Sequence, residues 1–231
     1  MSFGSIAGCR GTIPGAQRNK AGEGIMRFKT ISCAALAMFI AAQAVAQERM
    51  PAIPAEKYTE AQKKAADEFL ATRKRPVFGP FAPLIRSPEV MLRAKEMGDY
   101  LRFRSSIGQK LAEFTILIMA RAWTTDYEWY AHYPLAMKAG LKPEIAEAVF
   151  EGRRPDGMAP DEEAIYNFVT ELNTMKRISD VTYERMVKQV GEQGVIDIIG
   201  LQGYYTLIAM TLNVSRFELP KDGRRFPRSP D

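Results

Sequence analysis

The chain has 231 residues, a formal net charge of +5 at pH 7 and only two cysteines, Cys9 and Cys33. Much of the excess charge lies in residues 1–46, which hold five Lys or Arg and one Glu, so the rest of the chain carries +1. With that balance, and with no basic stripe interleaved with aromatic residues, the sequence argues against nucleic-acid binding.

The first predicted element is a secretory signal at 26–46. It begins with Met26 and two basic residues, continues through an apolar run too short to span a bilayer comfortably, and ends in Ala44-Val45-Ala46, a small-x-small cleavage site. We therefore expect an exported protein, periplasmic or secreted, cleaved after Ala46. Residues 1–25 have no periodicity and many Gly and polar residues, which indicates a mis-called start or a disordered leader.

Cleavage after Ala46 would remove both cysteines. The mature chain would then have no thiol, which excludes disulfides, thiolate metal sites and cysteine peroxidase chemistry. Its length is that of one domain.

Helical patterns follow one another from residue 55 onward, separated by Pro and Gly, and no alternating strand pattern interrupts them. We predict an all-α, single-domain multi-helix bundle. Residues 47–86 comprise an N-terminal helix (55–74) and an extended Pro-rich loop (77–86) lying on the core, and residues 220–231 form a basic tail. The helices predicted between them span 87–103, 108–124, 126–140 (with a kink or change of segment at Pro134), 143–152, 159–177, 179–191 and 195–213.

The last helix, 195–213, is apolar enough to raise the question of a membrane span. Asp197, Gln202 and Asn213 argue against contact with lipid, so we expect no stable membrane insertion after signal cleavage. Its glycines, Gly200 and Gly203, would allow another backbone to approach closely. This helix therefore predicts an oligomer that associates through apolar helices.

Polar groups in two consecutive apolar helices are candidates for catalysis. Glu113 lies among aliphatic residues, so it is expected to be paired or protonated, and Arg121, eight residues later, is a candidate partner. Glu128 and His132, the only histidine, are spaced i and i+4, so the glutamate can bond and orient the imidazole.

The same spacing also fits a structural interpretation, in which Glu128–His132 and Glu113–Arg121 are stabilising pairs. One histidine and no mature cysteine leave too few ligands for a typical metal site. Spacing alone leaves the two interpretations open. The aromatic residues around these groups would complete a proton-transfer pocket and are the candidate substrate-binding residues: Trp123, Tyr127 and Trp129.

Three segments resemble the carboxymuconolactone decarboxylase family, whose fold is shared with alkylhydroperoxidase D. They are "LAEFTILIMARAW", "YEWYAHYPLAMKAGL" and "GYYTLIAMTLN", in family order, and the resemblance covers 87–219. It implies catalysis by His132, Glu113 and Glu128, without a cofactor or metal. It also implies a homotrimer or homohexamer.

The peroxidase branch of this family carries a C-x-x-C pair between the glutamate and the histidine. Here Thr125 and Glu128 occupy the two cysteine positions, so the resemblance points to the branch that lacks the pair. It implies a decarboxylase, lyase or isomerase that acts by proton transfer on a small carboxylated lactone or keto acid. Arg121 would neutralise the substrate carboxylate or pair with Glu113.

Two other functions remain open. The chain could be a non-catalytic protein of the same fold that binds a small acid or serves as an oligomeric scaffold. A peroxidase-like activity without the usual cysteines is the third possibility.

Overall fold

The computed structural model describes residues 47–227. These residues form an all-α bundle: a 3₁₀ turn at Ala55–Lys57, then α1 (Glu60–Arg73), α2 (Phe81–Leu84), α3 (Pro88–Phe103), α4 (Gly108–Ala122), α5 (Asp126–Lys138), α6 (Pro143–Phe150), α7 (Pro160–Met175) and α8 (Asp180–Ser215). No strand occurs among them. The all-α prediction is confirmed, while the signal predicted at 26–46 lies outside the described residues.

Helix α4 is the centre of the bundle. Every residue from Leu111 to Ala120 is buried, and α3, α5, α6, α7 and α8 all pack around it. An apolar helix without a polar face is typical of such a fully enclosed position. A charged group on α4 therefore has to find its partners inside the protein.

Side-chain hydrogen bonds cap the starts of α1 and α8. Thr59 forms a capping box with Gln62 at the start of α1, and the side chain of Ser179 accepts a bond from the Thr182 amide at the start of α8. These bonds satisfy amides that have no partner within the helix. Helix α5 begins at Asp126, as predicted.

One local prediction needs correction, and another that left two alternatives open is narrowed to one. The loop at 77–86 lies on the core as predicted, but it is not wholly extended, because Phe81–Leu84 forms the short helix α2. Of the two alternatives predicted at Pro134, the change of segment is excluded, because helix α5 continues through the proline to Lys138. The bundle holds α5 against α4, which outweighs the loss of one backbone hydrogen bond at the proline.

Helix α8 contains the break that separates the last two predicted helices. Gly191 has φ +69° and ψ 173°, a conformation that favours glycine. The helix is long and apolar enough to cross a membrane by length and composition, yet 56% of its most apolar window is buried within the protein. Its outer face remains apolar, with Ile196, Ile199, Leu207 and Met210 exposed.

Candidate active site

Glu113 is a fully buried carboxylate near the start of α4. Its Oε2 lies 2.6 Å from Nδ1 of His132, and its Oε1 accepts a 2.8 Å hydrogen bond from Nε2 of Gln109. Nη2 of Arg102 lies 3.6 Å from Oε1, a distance for a charge contact rather than a hydrogen bond. The three neighbours provide the compensation that a carboxylate needs in an apolar interior.

His132 lies between Glu113 and the cavity. With Nδ1 directed at Glu113, its Nε2 lies 3.3 Å from the hydroxyl of Tyr205 and 3.4 Å from Oε2 of Glu128. The Tyr205 ring stands perpendicular to the imidazole, with centroids 5.3 Å apart. A carboxylate accepts the proton of Nδ1, so in the neutral imidazole Nε2 is the atom that takes up a proton.

Two neighbours of Nε2 hold their protons more firmly than usual. Burial raises the pKa of the Glu128 carboxyl, although the positive charges of His132 and Arg102 oppose the shift. Burial also raises the pKa of the Tyr205 phenol well above its ordinary value. Glu128 can therefore keep a proton at a higher pH than a free carboxyl does, as a general acid requires, whereas Tyr205 stays a neutral phenol that can only hydrogen-bond.

A cavity of about 640 Å³ lies over these groups. It opens between the end of α1, the loop before α2, and helices α3, α5 and α8. The residues lining it are Thr72, Arg73, Arg75, Phe78, Pro80, Phe81, Asp99, Arg102, Phe103, Tyr127, Glu128, Ala131, His132, Leu135, Tyr204, Tyr205 and Ile208. Its volume is typical of small-molecule sites, roughly 300–1,000 Å³.

Three arginines contribute to the cavity wall. Arg73 makes a 2.7 Å ion pair with Asp99, which also lines the cavity, and Arg102 lies near Glu113. The guanidinium of Arg75 lies 3.6 Å from the centroid of the Phe78 ring. The lining thus carries more positive than negative side chains, and the raised pKa of Glu128 increases this excess.

The structure brings together three residues that the sequence singled out: Glu113, Glu128 and His132. Their arrangement differs from the expected one in one respect. Glu113, not Glu128, holds the imidazole through the shorter bond, 2.6 Å against 3.4 Å. Glu128 instead lines the cavity and faces the opposite ring nitrogen.

Of the three aromatic residues predicted to bind substrate, one lines the cavity and two do not. Tyr127 lines the cavity, with its hydroxyl against Gly79, where a Cβ would stand only 2.9 Å away. Trp129 packs in the core against Phe150 and Phe226, and Trp123 packs beside the core, so neither reaches the cavity.

Arg121 does not pair with Glu113. Its guanidinium lies over the Phe226 ring, 5.4 Å from the centroid, and close to Gly152. Eight residues of α-helix turn the side chain by about 80° from the direction of Glu113 and place it about 12 Å further along the axis. The two residues are therefore on different faces and at different ends of α4.

Sequence reasoning missed three members of the site. Gln109 could have been found from its i,i+4 spacing to Glu113. Tyr205 lies in an apolar helix and Arg102 lies on α3, and nothing in the sequence pattern distinguishes either residue from its neighbours of the same type. Within residues 47–227, no group of three or more His, Cys, Asp or Glu is placed to hold a metal ion.

The arrangement of the helices matches solved structures at low sequence identity. A peroxidase-related protein from Ralstonia eutropha JMP134, described as an alkylhydroperoxidase AhpD core, superposes with a TM-score of 0.62 at 14% identity, covering 76% of this chain and 93% of that one. The fold is AhpD-like. No protein-family model and no curated protein sequence matches the chain.

Two further AhpD-like structures extend the comparison. A cysteine-to-alanine variant of the debrominase Bmp8, in complex with 2,3,4-tribromopyrrole, has a TM-score of 0.59 at 10% identity, covering 76% of this chain and 94% of that one. A protein of unknown function from Agrobacterium tumefaciens, named as a candidate antioxidant defence protein AhpD, has a TM-score of 0.51 at 15% identity, covering 59% and 94%. AhpD-like proteins thus include enzymes.

The two positions that the resemblance assigns to cysteines, Thr125 and Glu128, lie at the start of α5. Residues 47–227 contain no cysteine. Thr125 is buried at the start of α5, and Glu128, one turn later, faces the cavity beside Nε2 of His132. In this chain a carboxyl group stands where the resemblance places the second thiol.

Proposed function

We propose that this AhpD-like protein is a decarboxylase, or a related lyase or isomerase, that acts on a carboxylated lactone or keto acid by proton transfer. The observation that carries the proposal is the buried series Glu113–His132–Glu128, with a 2.6 Å bond at its inner end and the cavity at its outer end. A polar series of this kind, ending at a concave site, is suited to general acid–base catalysis.

In the proposed decarboxylation, the positive lining of the cavity holds the substrate anion. The bond from the substrate carbon to its carboxylate breaks, carbon dioxide leaves, and the electron pair stays on the substrate as an enolate or dienolate. The Glu128 carboxyl, whose pKa burial raises, donates its proton to that carbon. A positioned acid of this kind contributes roughly 10²–10⁴-fold to a rate.

The relay behind Glu128 restores its proton. Nε2 of His132, 3.4 Å away, delivers a proton to the Glu128 carboxylate, while the Glu113 carboxylate stabilises the imidazolium through Nδ1. A proton from solvent then replaces the one used, so one proton is consumed for each carbon dioxide released. An isomerase would use the same groups, with Glu128 removing a proton at one carbon and returning it at another.

A peroxidase-type reaction has less support, because residues 47–227 have no thiol to attack a hydroperoxide. A binding protein without turnover would use the same cavity, and no observation favours it over an enzyme. The substitutions described below separate the two, because binding alone does not require a group that transfers a proton.

The test is a turnover screen of the purified protein on lactones and keto acids, with carbon dioxide release as the readout. Glu128→Gln and Glu113→Gln should each lose activity by roughly 10²–10⁴-fold while the circular dichroism spectrum stays unchanged. Hydroperoxide consumption is measured in parallel. Activity that survives both substitutions, or consumption of hydroperoxide alone, would refute the proposed reaction.

We also propose that a second copy of the chain covers the outer face of α8. Ile196, Ile199, Leu207 and Met210 are exposed on this face, and a Cβ built at Gly203 meets no atom within 4 Å. Mass measurement in solution should give an oligomer, and Leu207→Glu should shift it towards monomer. A wild-type monomer would contradict this assignment.

Export of the protein is a further proposal, supported by the signal pattern at 26–46. The N-terminus of protein recovered from the periplasm or medium should be Gln47. An uncleaved cytoplasmic product would contradict it.

A further inference from the structure

The cavity has an unusually aromatic lining for a site that would take a small aliphatic acid. Six of its seventeen lining residues are aromatic and come from different parts of the fold: Phe78, Phe81, Phe103, Tyr127, Tyr204 and Tyr205. Phe78 and Phe81 pack edge to face with centroids 6.1 Å apart, and Tyr204 and Tyr205 do so at 5.0 Å. Aromatic side chains stack on flat, conjugated groups more favourably than on saturated ones.

One cation of the lining has no acidic partner. Asp99 lies against Arg73 and Glu113 lies near Arg102, whereas no ion pair to Arg75 occurs within the part of the chain that the structure describes. The guanidinium of Arg75, which is planar by delocalisation, instead lies over Phe78, 3.6 Å from the ring centroid, at the edge of the aromatic lining. Its in-plane N–H groups remain available to an incoming carboxylate.

The size of the cavity also favours a ligand larger than a single small ring. Its volume of about 640 Å³ lies in the middle of the range for sites that enclose drug-sized ligands, roughly 300–1,000 Å³. A lactone with a single small ring would leave much of the aromatic lining without contact. A ligand with one or two conjugated rings would contact more of it.

We propose that the cavity selects lactones or keto acids whose carboxylate is carried on a planar aromatic or conjugated framework, which lies among the aromatic side chains while the carboxylate binds Arg75. This deepens the proposed function, since it concerns the same cavity, and it makes Arg75 the specificity residue of the site. Arg121, the carboxylate-binding candidate from the sequence, lies at the far end of α4 and has no part in it.

Equilibrium binding measured by calorimetry tests the proposal without requiring turnover. The probes are 2-naphthoate, its neutral counterpart 2-naphthamide, benzoate and the non-planar cyclohexanecarboxylate. The variants are Arg75→Gln and a matched control, Arg104→Gln. Arg104 is also exposed and also lies over an aromatic ring, that of Tyr100 at 5.9 Å, but does not line the cavity.

In the wild-type protein, 2-naphthoate should bind more tightly than 2-naphthamide, and benzoate more tightly than cyclohexanecarboxylate. Arg75→Gln should weaken 2-naphthoate about tenfold, as expected for a lost charge-assisted hydrogen bond, and should leave 2-naphthamide unchanged. Arg104→Gln should change neither. Because affinity is compared with and without Arg75 and with and without the ligand charge, the difference isolates the interaction between the two.

Absence of naphthoate binding would overturn the proposal. So would equal binding of the acid and the amide, or an equal loss in the Arg104→Gln variant, since either result would remove the specific role of Arg75. Binding as expected, together with turnover that survives Glu128→Gln, would refute the acid–base mechanism but leave the ligand assignment intact. The two failures are therefore distinguishable.

Discussion

The two ends of helix α4 carry opposite charges in similar apolar surroundings, but they are covered by different structures. At the start, Glu113 is bonded to His132, and the cavity lies beyond the imidazole. At the end, Arg121 lies over Phe226, which belongs to the C-terminal segment, and the amide of Phe226 donates to Asp126 at 2.9 Å. The two ends thus differ in whether a cavity lies beyond the partner of the charged group, and our proposed function rests on that difference.

The comparison predicts that substitutions at the two ends have different consequences. Those at the Glu113 end should mainly change turnover, and those at the Arg121 end should mainly change stability. The expected effects below run from the largest to the smallest.

The largest effect is expected for His132→Gln. The amide can still donate a hydrogen bond to Glu113 but cannot carry a proton to Glu128, so turnover should fall by roughly 10²–10⁴-fold. Stability should fall by about 1–3 kcal/mol, because the bond to the buried carboxylate is less well made. Steady-state rates and urea denaturation measure the two quantities, and a folded variant with full activity would make the histidine structural.

A moderate effect is expected for Arg121→Met, and here the loss should be in stability rather than in turnover. The variant loses the cation–aromatic contact with Phe226, so the free energy of unfolding should fall by about 1–2 kcal/mol. The rate of turnover should change less than twofold, because the cavity is remote. Chemical denaturation and kinetics on the same preparation test this, and a large loss of activity at unchanged stability would erase the distinction between the two ends.

A pH-dependent effect is expected from Glu128. Its pKa is raised in the folded protein above the ordinary 4.5, so the folded state holds this proton more tightly than the unfolded state. The resulting stabilisation is fully present below pH 4.5 and is lost as pH rises through the folded pKa. Glu128→Gln removes this dependence, so the variant should gain stability relative to wild type as pH increases. Thermal unfolding across this pH range measures the difference, and parallel pH profiles would contradict it.

The smallest effect is expected for Trp123→Phe. The carbonyl of Trp123, which accepts a 3.0 Å bond from Asn213, is retained, and the side chain lies outside the cavity. Stability should change by less than about 1 kcal/mol and turnover by less than twofold. A strong loss of substrate affinity would restore the substrate-binding role first expected for this residue.

Helix periodicity and caps were sufficient to predict the all-α fold, because helices such as α1 and α8 carry their own start and stop signals. The sequence also predicted the break at Gly191, since a glycine ends the helical pattern there. The sequence left open whether α5 continues past Pro134 or changes segment there, and tertiary packing decides that it continues.

The site was predictable only in part. Glu128 and His132 are neighbours by helix geometry, whereas the bond from Glu113 to His132 joins residues on different helices and no spacing rule gives it. Arg102 and Arg75 reach the cavity only through the packing of α3 and of the loop before α2. Contacts of this kind between elements exist only once the fold is formed.

The bond between Glu113 and His132 also supplies a spectroscopic label. The chain has one histidine, so every imidazole signal comes from the site itself. Glu113 is fully buried and the bond is short, 2.6 Å, so the Nδ1 proton is shielded from exchange with water. Its resonance should appear far downfield in the proton NMR spectrum, and ligand binding in the cavity would shift it without any isotope-labelled substrate.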